Sequence, residues 1–263
     1  SRLRGKSLMP VAGKPLLLRV IERVRQMPFL DDIVVATTYD RADTPIVAFA
    51  QQQGVPCVTG QRDDVLARVV AAIADLNDSD VVVRFTGDNP LYDPALSTQA
   101  YDRHRCGNWD YTHVEGLSAL VPEFIGVGAL REACASASTD YEREHVTPYL
   151  RSSQSSFRVL TLENDFAGLR PEYQSLLTVD TFQQLQGVEQ MLLEVEKEGE
   201  AVSAVDCYQW LDHHGNNVRS HSDVPDEIAI GKRRIGSHHP CFIVAEIGQN
   251  HNGDIRIAEQ LID

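Results

Sequence analysis

Apolar residues follow two alternating patterns through most of this chain. Helical spacing predicts amphipathic helices over residues 15–27, 43–53, 63–76 and 95–105. Short continuous apolar runs over residues 31–37, 55–58 and 80–85 predict buried strands. Because strands and helices alternate, the pattern predicts a parallel sheet covered by helices, in the α/β class.

The second part of the chain continues these patterns less regularly. Residues 111–114 and 120–127 are predicted strands, and residues 176–181 form a last apolar run that is predicted to be a strand ending in an acid. Helices are predicted over residues 182–198, with Thr181 as the N-cap, and over residues 201–214. Ligands of α/β sheets bind at the carboxyl ends of strands, so Asp88 and Asp180 become candidate site residues.

The first fourteen residues lack a hydrophobic period and are rich in cations and glycine. Arg2, Arg4, Lys6 and Lys14 lie beside Gly5 and Gly13, and the helical pattern starts only at Pro15. Glycine lets a backbone approach a ligand closely, and Lys and Arg provide charge for phosphate. Composition alone leaves two interpretations open, a polyphosphate cradle and a solvated basic loop.

Overall composition narrows the class of partners. The chain has 263 residues, a formal net charge of -14 and 43% hydrophobic residues, which is ordinary for a globular protein. Its acidity argues against nucleic acid as a partner. We expect no membrane association, because no apolar run approaches the roughly 20 residues of a membrane span. The five cysteines are scattered without CxxC spacing, which indicates reduced thiols in a cytoplasmic protein.

A turn with a carboxylate follows the predicted strand over residues 80–85. Gly87-Asp88-Asn89-Pro90 could be a simple strand-end turn, since Gly-Asp and Asn-Pro are common turn pairs. The alternative is a metal ligand, because Mg²⁺ is usually held by one or two carboxylates together with substrate phosphates.

Three motifs in the same order resemble one family. They are Arg-Leu-x-Gly-Lys with Gly13-Lys14-Pro15-Leu16, then Val-Arg-x-Thr-Gly-Asp-x-Pro-Leu, then Val179-Asp180-Thr181. Together they resemble sugar nucleotidyltransferases, namely the spore-coat polysaccharide cytidylyltransferases and the related CMP-sialate and CMP-KDO synthetases. The resemblance implies a Rossmann-like, GT-A-like nucleotidyltransferase fold with a parallel or mixed sheet, here lacking its first strand.

The resemblance also implies an activity and a site. It implies transfer of CMP from CTP to a sialic-type sugar acid with release of pyrophosphate, in polysaccharide biosynthesis. Asp88 and Asp180 would bind Mg²⁺ and Lys6 would join them as a catalytic residue. The residues implied to bind the nucleotide are Arg2, Gly5, Lys6, Lys14, Asp64 and Arg68.

Two of the implied assignments have ordinary structural alternatives. Asp63 and Asp64 would also favour a helix N-terminus through the helix dipole. Glu144 and His145 lie in a stretch similar to the family's Arg-Glu-His-Val-Thr-Pro-Tyr segment, which implies contact with the sugar substrate. A histidine in such a segment is more often a helix cap or a satisfied core residue than a general base. The adjacent pairs His213-His214 and His238-His239 are not interpreted as metal ligands, because neighbouring side chains point in different directions on a helix.

The chain departs from the family on the sugar side. Residues 115–123 replace the family's Pro-x-Gly-x-Asp-Val-Glu element, so they leave the acceptor open. Residues 228–263 resemble the start of sialic acid synthases, with the first strand and helix of a TIM barrel over residues 243–246 and 255–262. We therefore predict a nucleotidyltransferase domain over residues 1–214, a linker over residues 215–227 and a truncated synthase-like start over residues 228–263.

Three other functions remain open at this point. A nucleotide-sugar glycosyltransferase should show Asp-x-Asp, which Asp88-Asn89-Pro90 does not. A nucleotide-binding or interaction module would bind CTP without turnover. A synthase activity, condensing phosphoenolpyruvate with a sugar, would require the rest of the barrel, and without it and the first strand the fragment could be inactive. The sequence leaves the oligomeric state open, a homodimer included.

Overall fold

A computed structural model of the protein describes residues 3–152, 156–163, 173–196, 202–220, 227–230 and 233–236. The chain divides into two compact units, residues 1–218 and residues 219–263. The predicted barrel elements over residues 243–246 and 255–262 lie outside the described residues, and so does Arg2. They stay predictions.

The elements follow the predicted order with shifted ends. The described helices are α1 (Leu16–Val24), α2 (Thr44–Gln52), α3 (Val65–Ala72), α4 (Pro94–Cys106), α5 (Val127–Ser136), α6 (Asp140–His145), α7 (Gln174–Leu177), α8 (Phe182–Val195) and α9 (Ala204–Ser220), with 3-10 turns at Lys6–Leu8 and Arg41–Asp43. The described strands are β1 (Pro10–Val11), β2 (Lys14–Pro15), β3 (Val35–Thr38), β4 (Cys57–Gly60), β5 (Val81–Arg84), β6 (Tyr111–Val114), β7 (Glu123–Gly126), β8 (Val159–Leu162), β9 (Glu227–Ile230) and β10 (Arg233–Gly236). In the second unit, β9 and β10 pair as an antiparallel hairpin.

The sheets of the first unit are mixed. β3 and β4 pair in parallel, as the alternating pattern predicts. In the four-stranded sheet the order is β5-β7-β6-β8, where β7 is antiparallel to both neighbours and β6 is parallel to β8. The α/β class and the expected parallel or mixed sheet are confirmed, in the mixed form, whereas the parallel sheet that the alternating pattern alone predicts is wrong. Local periodicity reports strands and helices, whereas pairing of β5 with β7 joins residues about forty positions apart, which no local pattern encodes.

The four-stranded sheet separates two apolar cores. Neighbouring residues of β7 point to opposite faces, so Phe124 joins one cluster and Ile125 the other. The first cluster packs the sheet against α4, α8 and α9, and the second packs it against α3 and α5. The end of β5 and the start of β7, which pair with each other in this sheet, lie beside the candidate site.

The basic N-terminal segment is a short hairpin that a buried arginine supports. β1 and β2 are joined by Ala12 and Gly13, which both have positive φ angles (46° and 78°), as a two-residue hairpin turn requires. Arg19 of α1 is buried, donates to the carbonyls of Val11 (2.6 Å) and Ala12 (2.7 Å), and pairs with Glu196 (3.0 Å). The hairpin is therefore held from α1 and from the residue after α8.

We expect Arg19→Met to lower the free energy of unfolding by about 3 kcal/mol. The variant keeps the apolar stem but leaves two carbonyls and Glu196 without their donor, and such buried losses are costly. Urea denaturation measures the change. The control Arg105→Met removes a cation whose contact with Tyr101 is exposed, and it should change stability by less than about 0.5 kcal/mol. Equal losses in the two variants would contradict the support role of Arg19.

Helix α9 runs past the predicted end at His214 and reaches Ser220. It therefore continues through part of the predicted linker, although residues 215–220 are rich in Asn and Ser. Helix propensity is a weak prior that neighbouring structure overrides. No helix in the described part of the chain is long and apolar enough to cross a membrane.

His104 couples stability to pH. Its side chain is buried, and its Nδ1 lies 2.8 Å from Thr112 Oγ1. Burial lowers the pKa of His104 below its ordinary value of 6.5, so the unfolded chain binds a proton more readily than the folded protein. This contribution to stability is fully present above pH 6.5 and is lost as pH falls towards the folded pKa. We expect the stability advantage of the protein over His104→Asn to shrink from pH 7.5 to pH 5.5 in urea denaturation. A stability advantage that stays constant from pH 7.5 to pH 5.5 would contradict the coupling of stability to the protonation of His104.

Candidate active site

One ammonium group holds two carboxylates together. Lys6 Nζ lies 2.9 Å from Asp88 Oδ2 and 2.7 Å from Asp180 Oδ1. Burial opposes the charge of Lys6, but the hydrogen bonds to Asp180 and Asp88 outweigh it and raise the pKa of Lys6. The structure thus brings together the three residues for which the sequence implies chemistry, from positions up to 174 residues apart.

The turn after β5 fixes Asp88. Asn89 is buried and its Nδ2 donates to Thr86 Oγ1 (2.8 Å) and to the Ser118 carbonyl (3.1 Å). The Tyr92 hydroxyl accepts from the Thr86 backbone (2.9 Å). Asp88 therefore lies on a turn that is pinned on both sides, which suits a side chain whose carboxylate must keep its place. The turn interpretation and the ligand interpretation are compatible here.

Asp180 reaches the site from a helix start and not from a strand end. The predicted strand over residues 176–181 is wrong, because the run begins inside α7 and continues as extended chain to the N-cap of α8. A short apolar run cannot be assigned to strand or helix by periodicity alone. Leu177 and Val179 are buried in the core, and the Val179 amide donates to the Asp88 carbonyl (2.9 Å). That bond joins the backbones of the two acidic segments.

Gln184 positions Asp180, and the sequence analysis missed it. Its Oε1 accepts from the backbone amides of Asp180 (2.9 Å) and Thr181 (2.9 Å), while Thr181 Oγ1 accepts from the Gln184 amide (3.2 Å). This is a capping box, so the predicted N-cap role of Thr181 is confirmed. The Thr-x-x-Gln spacing could have indicated Gln184 as a supporting residue.

The remaining residues of the basic segment have separate environments. Gly5 has a φ of 69°, a left-handed conformation at the start of the 3-10 turn that carries Lys6. Lys14 pairs with Glu22 of α1 at 2.8 Å, and both side chains are substantially exposed. Gly5 thus shapes the turn that carries Lys6 towards Asp88 and Asp180, whereas Lys14 pairs with Glu22 of α1.

Asp64 and Arg68 support the loop before α3. Asp64 is the N-cap of α3, accepting from the Ala67 amide (2.9 Å), and also pairs with Arg143 (2.9 Å). Arg68 donates to the carbonyls of Gln61 and Arg62 and packs against Gly60. The N-cap role of Asp64 agrees with the structural alternative given above, in which this acid stabilises a helix N-terminus. Their predicted role in nucleotide binding stays a prediction.

Glu144 and His145 are exposed at the end of α6. The ring of His145 lies 4.5 Å from that of Tyr141. The next residue, Val146, has φ 71° and ψ -53°, and the Thr147 amide donates to the His145 carbonyl (2.8 Å). This is a γ-turn at a buried β-branched residue, a strained conformation that usually marks a functional segment. The contact of Glu144 and His145 with a sugar stays a prediction.

A cleft of about 400 Å³ opens beside Asp88. Its wall includes Thr86, Asn89 and Tyr92 from the pinned turn, Gln174, Ser175 and Thr178 near α7, and five residues before and at the start of β7, namely Ser118, Ala119, Val121, Pro122 and Glu123. The stretch over residues 115–123, which departs from the resembled family, thus contributes one wall. Arg84 and Glu123 form a charged pair in this cleft, at 2.6 Å, and neither residue has a role predicted from the sequence.

The donor set at Lys6 suits a hard divalent cation. Asp88 and Asp180 offer carboxylate oxygens, which Mg²⁺ combines with substrate phosphates and water. In the part of the chain that the structure describes, no three His, Cys, Asp or Glu residues cluster as a metal site. The two carboxylates offer only part of a coordination sphere, which the phosphates of a substrate would complete.

Comparisons with known proteins show the family of this chain. Residues 1–206 match the family model described as Cytidylyltransferase. An uncharacterized protein of Methanocaldococcus jannaschii is 33% identical over 221 residues, covering 82% of this chain and 86% of its own. The spore coat polysaccharide biosynthesis protein SpsF of Bacillus subtilis is 33% identical over 187 residues, covering 69% and 77%.

A further relative matches part of the sequence, and a solved structure matches the fold. A 3-deoxy-manno-octulosonate cytidylyltransferase of Nitrosococcus oceani is 39% identical over 104 residues, which is 38% of each chain. The solved structure of a cytidylyltransferase from Leptospira borgpetersenii superposes with a TM-score of 0.71, at 22% identity, over 84% of this chain and 92% of its own. The structural likeness confirms the nucleotidyltransferase type of α/β fold.

Proposed function

This chain belongs to the cytidylyltransferase family, and we propose that it transfers CMP from CTP to a hydroxyl group of a sialic-type sugar acid, with release of pyrophosphate. The observation that carries the proposal is the contact of Lys6 with both Asp88 and Asp180. A carboxylate pair that would hold a cation, beside a basic, glycine-containing loop, suits a triphosphate substrate.

Two separate observations support the proposed acceptor. The partial relative from Nitrosococcus oceani acts on 3-deoxy-manno-octulosonate, a sugar acid, according to its name. The resemblance of residues 228–263 to sialic acid synthases points to the sialic type, although those residues lie beyond the family match at residues 1–206. We take sialic-type acids first and octulosonic acids second as substrates.

In the proposed reaction the acceptor oxygen bonds to the α-phosphorus of CTP. The bond from that phosphorus to the pyrophosphate oxygen breaks, pyrophosphate leaves, and the acceptor hydroxyl releases its proton to solvent. Lys6 turns from the carboxylates to the phosphates and stabilises the charge that collects on the departing pyrophosphate. Arg2, Gly5 and Lys14 extend the phosphate-binding surface of the same segment, and Asp64 with Arg68 supports the nucleotide side.

Asp88 and Asp180 would hold Mg²⁺, which when bound supplies Lewis-acid polarisation of the phosphoryl group. The pinned turn and the capping box described above hold the backbones of Asp88 and Asp180 in place. The positions of the two acidic segments are thus set before substrate arrives, and preorganised charge is the largest contribution of many active sites.

A substrate screen tests the proposal. Pyrophosphate release is measured with CTP, UTP, ATP and GTP, each with N-acetylneuraminate, 3-deoxy-manno-octulosonate and a neutral hexose. We expect release with CTP and a sugar acid, dependent on a divalent cation. Binding of CTP in calorimetry without turnover of any acceptor would contradict the proposal and favour a nucleotide-binding module.

A further inference from the structure

The charged pair in the cleft is a cross-strand pair. Arg84 ends β5 and Glu123 starts β7, and the register of the two strands places them directly opposite each other. Both side chains are about four-fifths buried, and both line the cleft that also contains Asp88. An acceptor in this cleft would therefore meet the pair next to the site of transfer.

Glu123 is satisfied by the protein itself. Its Oε2 accepts from Arg84, and its Oε1 accepts from the Tyr111 hydroxyl and from Thr147 Oγ1 (3.0 Å). Burial alone would raise the pKa of Glu123, but the charge of Arg84 and these hydrogen bonds lower it. The carboxylate is thus fixed and charged, with each of its oxygens already bonded.

Arg84 has donors to spare. Its guanidinium carries five N–H groups, and within the described residues its hydrogen bonding is limited to one, from Nη1 to Glu123. A guanidinium that one carboxylate fixes on one side presents its remaining donors in a planar fork, which matches a second carboxylate. It is also the one cationic side chain among those that line the cleft in the described part of the chain.

We propose that Arg84 binds the carboxylate of the acceptor, and that Glu123 is the positioning residue that orients Arg84. This inference rests on the proposed function and identifies the residue that selects an acidic acceptor. Thr147 follows the strained γ-turn at Val146, so the turn after His145 also helps to hold Glu123.

The experiment compares an acid with its ester. Kinetics are measured with saturating CTP for N-acetylneuraminate and 3-deoxy-manno-octulosonate, and for the methyl ester of whichever acid the protein accepts. For Arg84→Gln we expect the KM of the acid to rise by roughly 10- to 100-fold, as for a lost charged hydrogen bond, with little change in kcat and in the affinity for CTP. The preference for the acid over the ester should disappear. Arg84→Lys should recover part of it.

Controls separate a binding role from a structural one. Arg158→Gln removes an equal charge beside Asp110, outside the cleft, and should keep the preference for the acid. Arg84→Gln combined with Glu123→Gln avoids an unpaired buried carboxylate and should still lack the preference. If Arg84→Gln weakens acid and ester equally, the inference is overturned while the proposed function stands. If the unmodified protein transfers CMP to a neutral hexose and to neither acid, both are overturned.

Discussion

Replacing Asp88 with Asn is expected to lower the rate of CTP-dependent pyrophosphate release by about a thousandfold. Asn has nearly the same shape, so the pinned turn of Asn89 and Tyr92 is retained. The change removes one of two negative charges around Lys6 and a hard oxygen ligand for a divalent cation. The loss should therefore fall on kcat, while the fold and the stability remain close to those of the unmodified protein.

Binding measurements extend the test beyond turnover. Calorimetric titration with Mn²⁺ in the presence of CTP should show a weaker cation affinity for Asp88→Asn. The matched control is Asp78→Asn, which removes a well-exposed carboxylate that pairs with Arg131 outside the cleft. It should keep the rate, since surface ion pairs contribute little. Undiminished turnover by Asp88→Asn would exclude Asp88 from the chemistry.

Elements whose signal is local were predictable from the sequence. Strands β5 and β6 and helix α4 lie within two residues of their predicted bounds, and Thr181 caps α8 as expected. The juxtaposition of Asp88 and Asp180 could also be anticipated, because both end buried apolar segments. The reasoning for Asp180 was nevertheless partly wrong, since its segment is a helix start.

The pairing of β5 with β7 and the backbone conformation at Val146 were not predictable from the sequence. Arg84 and Glu123 face each other only because β5 and β7 run antiparallel, and no local period reports that pairing. The positive φ of Val146 contradicts the preference of a β-branched residue, so propensity argues against it. Both features converge on Glu123 and the cleft. The sequence thus left open the wall of the cleft, which depends on how the strands pair, whereas motifs marked the two acidic residues.

Replacing Lys6 with Met should also lower the rate of pyrophosphate release, by about a hundredfold or more. It should differ from Asp88→Asn in its effects on CTP binding and on cation binding. Met keeps the length and removes the charge, so Asp88 and Asp180 lose their common partner. Without the ammonium group, the two carboxylates attract a cation more strongly, while the triphosphate loses a cationic partner. We therefore expect weaker CTP binding together with tighter binding of Mn²⁺ in the absence of nucleotide, by roughly tenfold in each case.

The opposite directions of these two shifts distinguish a role in the site from simple unfolding. A damaged fold would weaken the binding of both CTP and Mn²⁺. Loss of the ammonium group from between the two carboxylates should instead weaken CTP binding and strengthen Mn²⁺ binding. Arg62→Met provides the control, because it removes a cation that pairs with Asp40 at the surface and should leave both affinities unchanged. If Lys6→Met leaves Mn²⁺ affinity and CTP affinity as they are, the ammonium group does not share its position with a substrate-bound cation. In that case the contact of Lys6 with the two carboxylates would serve only to hold their segments together.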